Sequence, residues 1–251
     1  MKNKIIKVCL KIKHYFLTLI LGMLAMTANG YDRITGEAFA SRSEVIGQNG
    51  MVATSHPLAT QIGLDILKKG GTAIDAAIAA NIALGLMEPT GNGIGGDLFA
   101  IIWDAKTKQL HGLNASGPAP KNISIDYLKS QNLNKIPSYG PLPVTVPGAV
   151  DGWVKLHEKF GNQEFKTLFQ PTIDYAINGF PVTETIAYYL ERSAGRYIEY
   201  PNFSELWLKN GKMPVKGEIF KNPQLAKTLQ TIADKGRAGF YEGDIAQTMA
   251  D

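Results

Sequence analysis

Apolar positions recur at helical spacing over several windows of this chain and as strand-like runs in a few others. Ser55-His-Pro57 reads as a helix start, with a hydroxyl cap and proline in the first turn. Leu58, Ile62, Ile66 and Leu67 then fall on one helical face. Lys68 and Lys69 in the last turn, followed by Gly70 and Gly71, predict the stop. A second helix starts at Thr72, where Thr72-Ala-Ile-Asp75 matches a capping box. Residues 76–87 are apolar nearly all round, the mark of a buried helix. Leu98–Trp103 and Gln109–Leu113 read as strands joined by a hairpin turn at 104–108, and Gly50–Thr54 reads as a short strand. Residues 114–150, rich in Pro, Gly, Asn and Ser, predict a long surface excursion. Helical periodicity returns over Ala149–Phe160 and closes at Gly161, with further helices expected near 164–178, 183–193 and 223–235. Gly243-Asp244 opens a last helix carrying Ile245 and Met249 on one face, and the sequence stops inside it. That stop suggests a truncated product.

The chain has 251 residues, 45% of them hydrophobic and 19% charged, enough for one large core and not the composition of a disordered segment. The net charge of +4 is concentrated at the start. Lys2, Lys4, Lys7, Lys11 and Lys13 stand in the first 30 residues without an acid, which leaves 21 bases against 22 acids in the remainder. No nucleic-acid preference follows from such a balance. The basic start, the apolar run Tyr15–Met26 and Ala28-Asn-Gly30 form the three parts of a secretory signal. An uncleaved anchor is the rival reading, but the run is shorter than the roughly 20 residues of a membrane span. We therefore expect a signal peptide at 1–30, a flexible lead-in at 31–48, a periplasmic or extracellular product, and no stable membrane contact after cleavage. Cys9 is the only cysteine and lies in that leader, so the mature chain has neither disulfide nor thiolate chemistry.

Four glycines, Gly91, Gly93, Gly95 and Gly96, crowd into the stretch between the buried helix and the first strand. Such density predicts backbone with φ > 0 or close approach of another group. The spacing satisfies G-x-G-x-x-G, yet a dinucleotide site needs a strand before it, a helix after it and an acid about 20 residues on. Here a helix precedes, a strand follows, and 111–123 holds no acid. A tight helix-to-strand connection is one reading; a loop beneath an active site, lending N–H groups to an oxyanion, is the other. His56, His111 and His157 are isolated and make no metal pattern. Trp153, Tyr188, Tyr189 and Trp207 read as core or half-buried packing residues.

Several motifs in order resemble the N-terminal part of the γ-glutamyltransferases (γ-glutamyltranspeptidases). They are Gly50–Thr54 leading to Ala59-Thr-Gln-Ile-Gly63; Ile66–Ala77; Gly91–Gly96 with Phe99; Val144-Thr-Val-Pro-Gly-Ala-Val-Asp-Gly-Trp153; Asn178-Gly-Phe-Pro-Val182; and Phe240-Tyr-Glu-Gly243. The resemblance covers residues 45–251 and implies an α+β fold. That fold is the αββα sandwich of N-terminal-nucleophile hydrolases, present here only as its helix-rich N-terminal portion. Residues 49–251 would be a large-subunit region incomplete at its C-terminus. The resemblance further implies a precursor that cuts itself before a threonine. The threonine hydroxyl is then the nucleophile and its own α-amine the base. Its substrates are γ-glutamyl compounds such as glutathione, its acceptors water or amino acids, and it needs no metal or organic cofactor. The nucleophile and the small-subunit segment lie outside this chain, so no catalytic residue is assigned within it and the chain alone is expected to be inert. Strand edges and apolar faces shared with the missing part should stand uncovered.

One departure concerns specificity. The family's γ-glutamyl enzymes hold the substrate's α-carboxylate with an arginine in an Arg-x-x-Ala-Pro setting after the second strand. The corresponding stretch here is Leu113-Asn-Ala-Ser-Gly-Pro-Ala-Pro120, and no arginine stands between Arg42 and Arg192. Asn114, Ala115 and Ser116 are thus the candidate substrate-binding positions, without the charge. Two alternatives follow: an acylase of the same family with another acyl preference, cephalosporin-acylase-like, or an inactive truncated remnant.

Overall fold

Helix α1 (Pro57–Lys68) begins where the sequence places it, but its cap is an imidazole and not a hydroxyl. His56 Nδ1 accepts from Leu58 N at 3.3 Å, while the Thr54 hydroxyl donates to the His56 carbonyl at 2.8 Å. The helix buries Ala59, Ile62, Gly63 and Ile66, and half-buries Leu58 and Leu67. Helix α2 (Ala73–Met87) carries the expected capping box: Thr72 Oγ1 accepts from Asp75 N at 3.1 Å and the Asp75 carboxylate accepts from Thr72 N at 2.8 Å. Ile78, Ile82, Leu86 and Met87 are buried on it, as are most of its alanines, whose small side chains let the neighbouring helices close in. The structure, a computed structural model, describes residues 45–251, and all the elements named here belong to the compact unit 47–251. The expected signal peptide and most of the lead-in lie outside the described residues.

Strands β1 (Leu98–Asp104) and β2 (Gln109–Ala115) form an antiparallel hairpin in the register Leu98 to Ala115 through Asp104 to Gln109. Its period-2 alternation turns Leu98, Ala100, Ile102 and Leu113 toward the helices. Phe99, Ile101, Trp103 and Leu110 project outward, Ile101 with 83% of its surface exposed. This is the uncovered apolar strand face that the resemblance led us to expect. Helix α3 (Ile125–Ser130) interrupts the excursion, capped by Ser124 Oγ, which accepts from Tyr127 N at 3.1 Å. Helix α4 (Ala149–Phe160) packs on the inner face of the hairpin and on α2.

The expected helix near 164–178 is a 3-10 turn at Phe165–Leu168 followed by α5 (Gln170–Asn178). Strands β3 (Phe180–Pro181) and β4 (Ile219–Phe220) pair antiparallel and pinch off a lobe. It holds α6 (Glu184–Tyr197), which outruns its predicted end, and α7 (Phe203–Trp207). Helices α8 (Pro223–Lys235), α9 (Ala238–Tyr241) and α10 (Gly243–Ala250) complete the unit. The strand expected at Gly50–Thr54 is not formed. No strand of the described residues lies alongside to hydrogen-bond with it, and Val52 packs on the helices beside Gly63. No helix among the described residues is long and apolar enough to cross a membrane.

His56 gives the fold a pH dependence. Its side chain is buried, Nε2 has no hydrogen-bond partner among the described residues, and the ring packs edge-on against Phe180 at 6.1 Å. Burial lowers its pKa below the ordinary 6.5, although the nearby Glu88 carboxylate pulls the other way. The folded imidazole therefore stays neutral where that of the unfolded chain is already protonated, and stability is lost as pH falls below about 6.5. We expect His56 to contribute a slope of up to about 1.4 kcal/mol per pH unit there. His56→Asn keeps a capping side chain and should remove that share, read from urea melts at about pH 7.5 and 5.5.

Candidate functional site

The glycine loop is held from below by a relay of side chains. Trp153 Nε1, on α4, donates to Asn81 Oδ1 on α2 at 2.8 Å, and Asn81 Nδ2 donates to Asn92 Oδ1 in the loop at 3.0 Å. Glu88, at the end of α2, accepts from Gly91 N and Asn92 N through its carbonyl, both at 3.1 Å, while its carboxylate takes a short hydrogen bond from the Ser55 hydroxyl. The Gly96 carbonyl accepts from Gly148 N at 2.9 Å and Ala149 N at 3.0 Å, so one residue ties the loop to the first turn of α4. Gly91, Asn92, Gly93, Gly95, Gly96 and Asp97 line a concavity of about 340 Å³.

The glycines answer the sequence expectation only in part. None of the four has a left-handed φ. A Cβ at Gly93 or Gly95 would meet nothing within 4 Å, and at Gly91 or Gly96 only ordinary contacts. Backbone strain is therefore not their reason; their effect is to leave the backbone bare on its open side. The N–H groups of Gly93, Ile94 and Gly95 donate to no backbone carbonyl among the described residues. Successive free N–H groups of this kind suit an anion.

Asp97 joins this loop to the end of the hairpin. Its carboxylate accepts from Ser116 Oγ at 3.1 Å, Gly117 N at 3.3 Å and Thr145 Oγ1 at 3.4 Å. Of the three candidate positions, Asn114 and Ser116 are exposed, and Asn114 Oδ1 accepts from Ser116 N at 2.9 Å. Ala115 is buried and its methyl group packs at Gly152 of α4. The structure thus brings Asn114 and Ser116 to one exposed corner beside the glycine loop and turns Ala115 inward. Sequence reasoning missed Asp97; a charged residue directly after Gly95-Gly96 and before an apolar strand was the signal available.

The segment 144–149 is the second wall of that corner. Val146 N donates to the Pro118 carbonyl at 3.0 Å. The Tyr241 hydroxyl donates to the Pro147 carbonyl at 2.6 Å and accepts from Asp151 N at 3.1 Å. Burial pushes the Tyr241 phenol up. For Asp151, burial opposes the charge, but Lys155 and Arg237 hold its carboxyl below the usual carboxylate range, each with a contact of 2.6 Å. Here glycine is required: a Cβ at Gly148 would lie 1.9 Å from the Ala115 carbonyl oxygen, and one at Gly117 would lie 1.5 Å from that of Val146. Backbone atoms cannot rotate aside. Gly148→Ala should cost about 1–3 kcal/mol, read as a drop in thermal midpoint, with Gly93→Ala as the near-silent control.

The family profile described as Gamma-glutamyltranspeptidase matches residues 59–251, which include the whole glycine loop, hairpin and Tyr241 contact. The chain belongs to the gamma-glutamyltranspeptidase family. It is 39% identical over 206 residues to a glutathione hydrolase-like proenzyme of Bacillus subtilis, covering 82% of this chain and 39% of the relative. Among solved structures it is similar to cephalosporin acylase from Bacillus halodurans, at a TM-score of 0.79 and 41% identity, covering 86% of this chain and 41% of that one. It is also similar to the gamma-glutamyltranspeptidase of Helicobacter pylori, at a TM-score of 0.77 and 32% identity, covering 82% and 60%. The chain therefore spans about two fifths of the length of the B. subtilis relative. The expected α+β class holds, with the helical layer and one hairpin as this chain's share of the αββα sandwich.

Proposed function

We propose that this chain is part of an exported gamma-glutamyltranspeptidase-family enzyme that cleaves γ-glutamyl amides through a threonine acyl-enzyme, the threonine lying outside these residues. In that chemistry the hydroxyl oxygen attacks the amide carbonyl as the threonine's own α-amine takes its proton. The proton passes to the departing amine, and the ester is then cleaved by water or an amino-acid acceptor. No residue described here performs those steps. The chain's part is to present a surface: the bare backbone of Gly93–Gly95 with its free N–H groups, rimmed by Asn114, Ser116 and Asp97. That bare backbone is the observation that carries the reading, because nothing inside the unit requires it.

A second reading has its own support. Asp97 brings a carboxylate, with no ion pair among the described residues, to the stretch where γ-glutamyl enzymes would hold an arginine. Such a corner favours an acyl group without an α-carboxylate, as in the acylase branch, and 41% identity to a cephalosporin acylase points the same way.

The test uses the complete protein and two chromogenic anilides, γ-glutamyl and glutaryl. A preference of about tenfold or more in kcat/KM for one identifies the acyl group. Turnover of neither, in protein that carries a free N-terminal threonine, would remove both readings. Gly93→Ala extends the test. It should leave the thermal midpoint unchanged yet lower kcat/KM about tenfold or more, because its methyl group enters the concavity.

A further inference from the structure

Next to the glycine loop, and separate from the corner just described, lies a cavity of about 260 Å³ between Pro89-Thr90 and the α6–α7 lobe. Three of its walls are the aromatic rings of Tyr197, Phe203 and Trp207, each only half-buried. Tyr197 and Phe203 stand 5.9 Å apart and tilted by 36°. Trp207 is locked in orientation by stacking on Phe220, at 4.8 Å and 4° between planes. Thr90 and Ser193 add hydroxyl groups, and Arg196 stands at the rim.

The electrostatics are one-sided. No acidic residue among the described residues lines the cavity. The Arg196 guanidinium is exposed and lies over the Tyr139 ring at 5.6 Å, and it has no ion pair among the described residues. Tyr139 is itself braced edge-on by Tyr197 at 6.0 Å, so the cation is positioned by rings and not neutralised. Arg192, one turn earlier, is occupied by the Tyr188 hydroxyl at 3.1 Å. A slot walled by rings suits a flat apolar group, and a free guanidinium suits a carboxylate, which it can take with two hydrogen bonds. The volume lies just below the range of roughly 300–1,000 Å³ usual for ligand sites, and it admits a single ring, not an extended peptide.

We propose that this cavity is a binding site for a small aromatic carboxylate, its ring between Tyr197, Phe203 and Trp207 and its carboxylate on Arg196. The site stands apart from the acyl-transfer reading: it requires neither a nucleophile nor turnover.

The experiment is a calorimetric titration of the complete protein with N-acetyl-phenylalanine, and with its uncharged amide as the second probe. The carboxylate should bind more tightly than the amide by about three- to tenfold. Arg196→Ala, an exposed position on α6, should weaken the carboxylate by that factor, leave the amide unchanged, and leave the thermal midpoint in place. Trp207→Leu should weaken both probes. Equal affinity for the two probes, an Arg196→Ala variant that binds the carboxylate as before, or no binding at millimolar concentration by folded protein would each overturn the site. An enzyme that fails on both anilides but binds the carboxylate through Arg196 would lose the proposed function and keep this site.

Discussion

Asp75→Ala should be among the most damaging single substitutions in this unit, at about 3–5 kcal/mol. The Asp75 carboxylate is fully buried and serves two structures at once. It completes the α2 capping box through Thr72 N and takes a further hydrogen bond from the Thr72 hydroxyl at 3.0 Å. It also accepts from Asn162 N at 3.0 Å and Gln163 N at 3.2 Å, the backbone that follows Gly161 at the end of α4. His157 closes the same turn by bonding to the Gln163 carbonyl at 2.7 Å, with its ring nitrogen 4.0 Å from Asp75. Alanine would leave three backbone N–H groups without their acceptor, each at about 1–3 kcal/mol if it stays dry. Asp75→Asn should cost less, about 1–3 kcal/mol, because an amide oxygen at the Oδ2 position keeps all three backbone donors and only Oδ1, which shares Asn162 N at 3.2 Å, turns into a donor. Urea denaturation reads both; a loss under about 1 kcal/mol for Asp75→Ala would show that the turn rehydrates at little cost.

Trp153→Ala should cost a similar 3–5 kcal/mol, for a different reason. The indole is 2% exposed and packs edge-on against Phe169 at 6.0 Å, so its removal opens a large cavity between α4, α2 and Phe169. It also removes the donor that orients Asn81, and with it the bond from Asn81 to Asn92 in the glycine loop. Trp153→Phe separates the two effects. It keeps most of the apolar volume and should cost about 1–2 kcal/mol, while amide exchange at the bonded N–H groups of Gly91, Asn92 and Gly96 speeds up as the loop loses its tether. Unchanged exchange in Trp153→Phe would mean that the relay does not hold the loop.

Local signals carried much of this fold. Thr72 and Asp75 specify a capping box using only residues next to one another in the chain, and it formed as read. Ala149–Phe160 and Pro223–Lys235 have clean apolar periodicity between a glycine or proline start and a glycine stop, and both helices have the expected bounds. The failures were non-local. Gly50–Thr54 has strand composition, but a strand exists only if another edge accepts it. Helix α3 is short and exposed, so Pro and Gly around it hid a real Ser124 cap. The role of Asp75 toward 162–163 could not be read, because its partners lie 87 and 88 residues further on.

At the candidate site, sequence pointed to the glycine loop and to 114–116, and of the two reasons it offered for the glycines, a left-handed φ is not found at any of the four. The ones that permit close packing are Gly117 and Gly148, where single glycines attract no attention, and the conspicuous cluster is unstrained and open. The resemblance to gamma-glutamyltranspeptidases supplied the family. Composition and periodicity reached only an exported, mixed α/β domain.

As proposed, this chain works as part of a self-processing acyltransferase of its family. Intact-mass analysis with N-terminal sequencing, on the protein purified from its native source, tests it most directly. Two polypeptides should appear, the larger containing these residues and the smaller beginning with threonine. A single polypeptide ending at Asp251 would contradict the account.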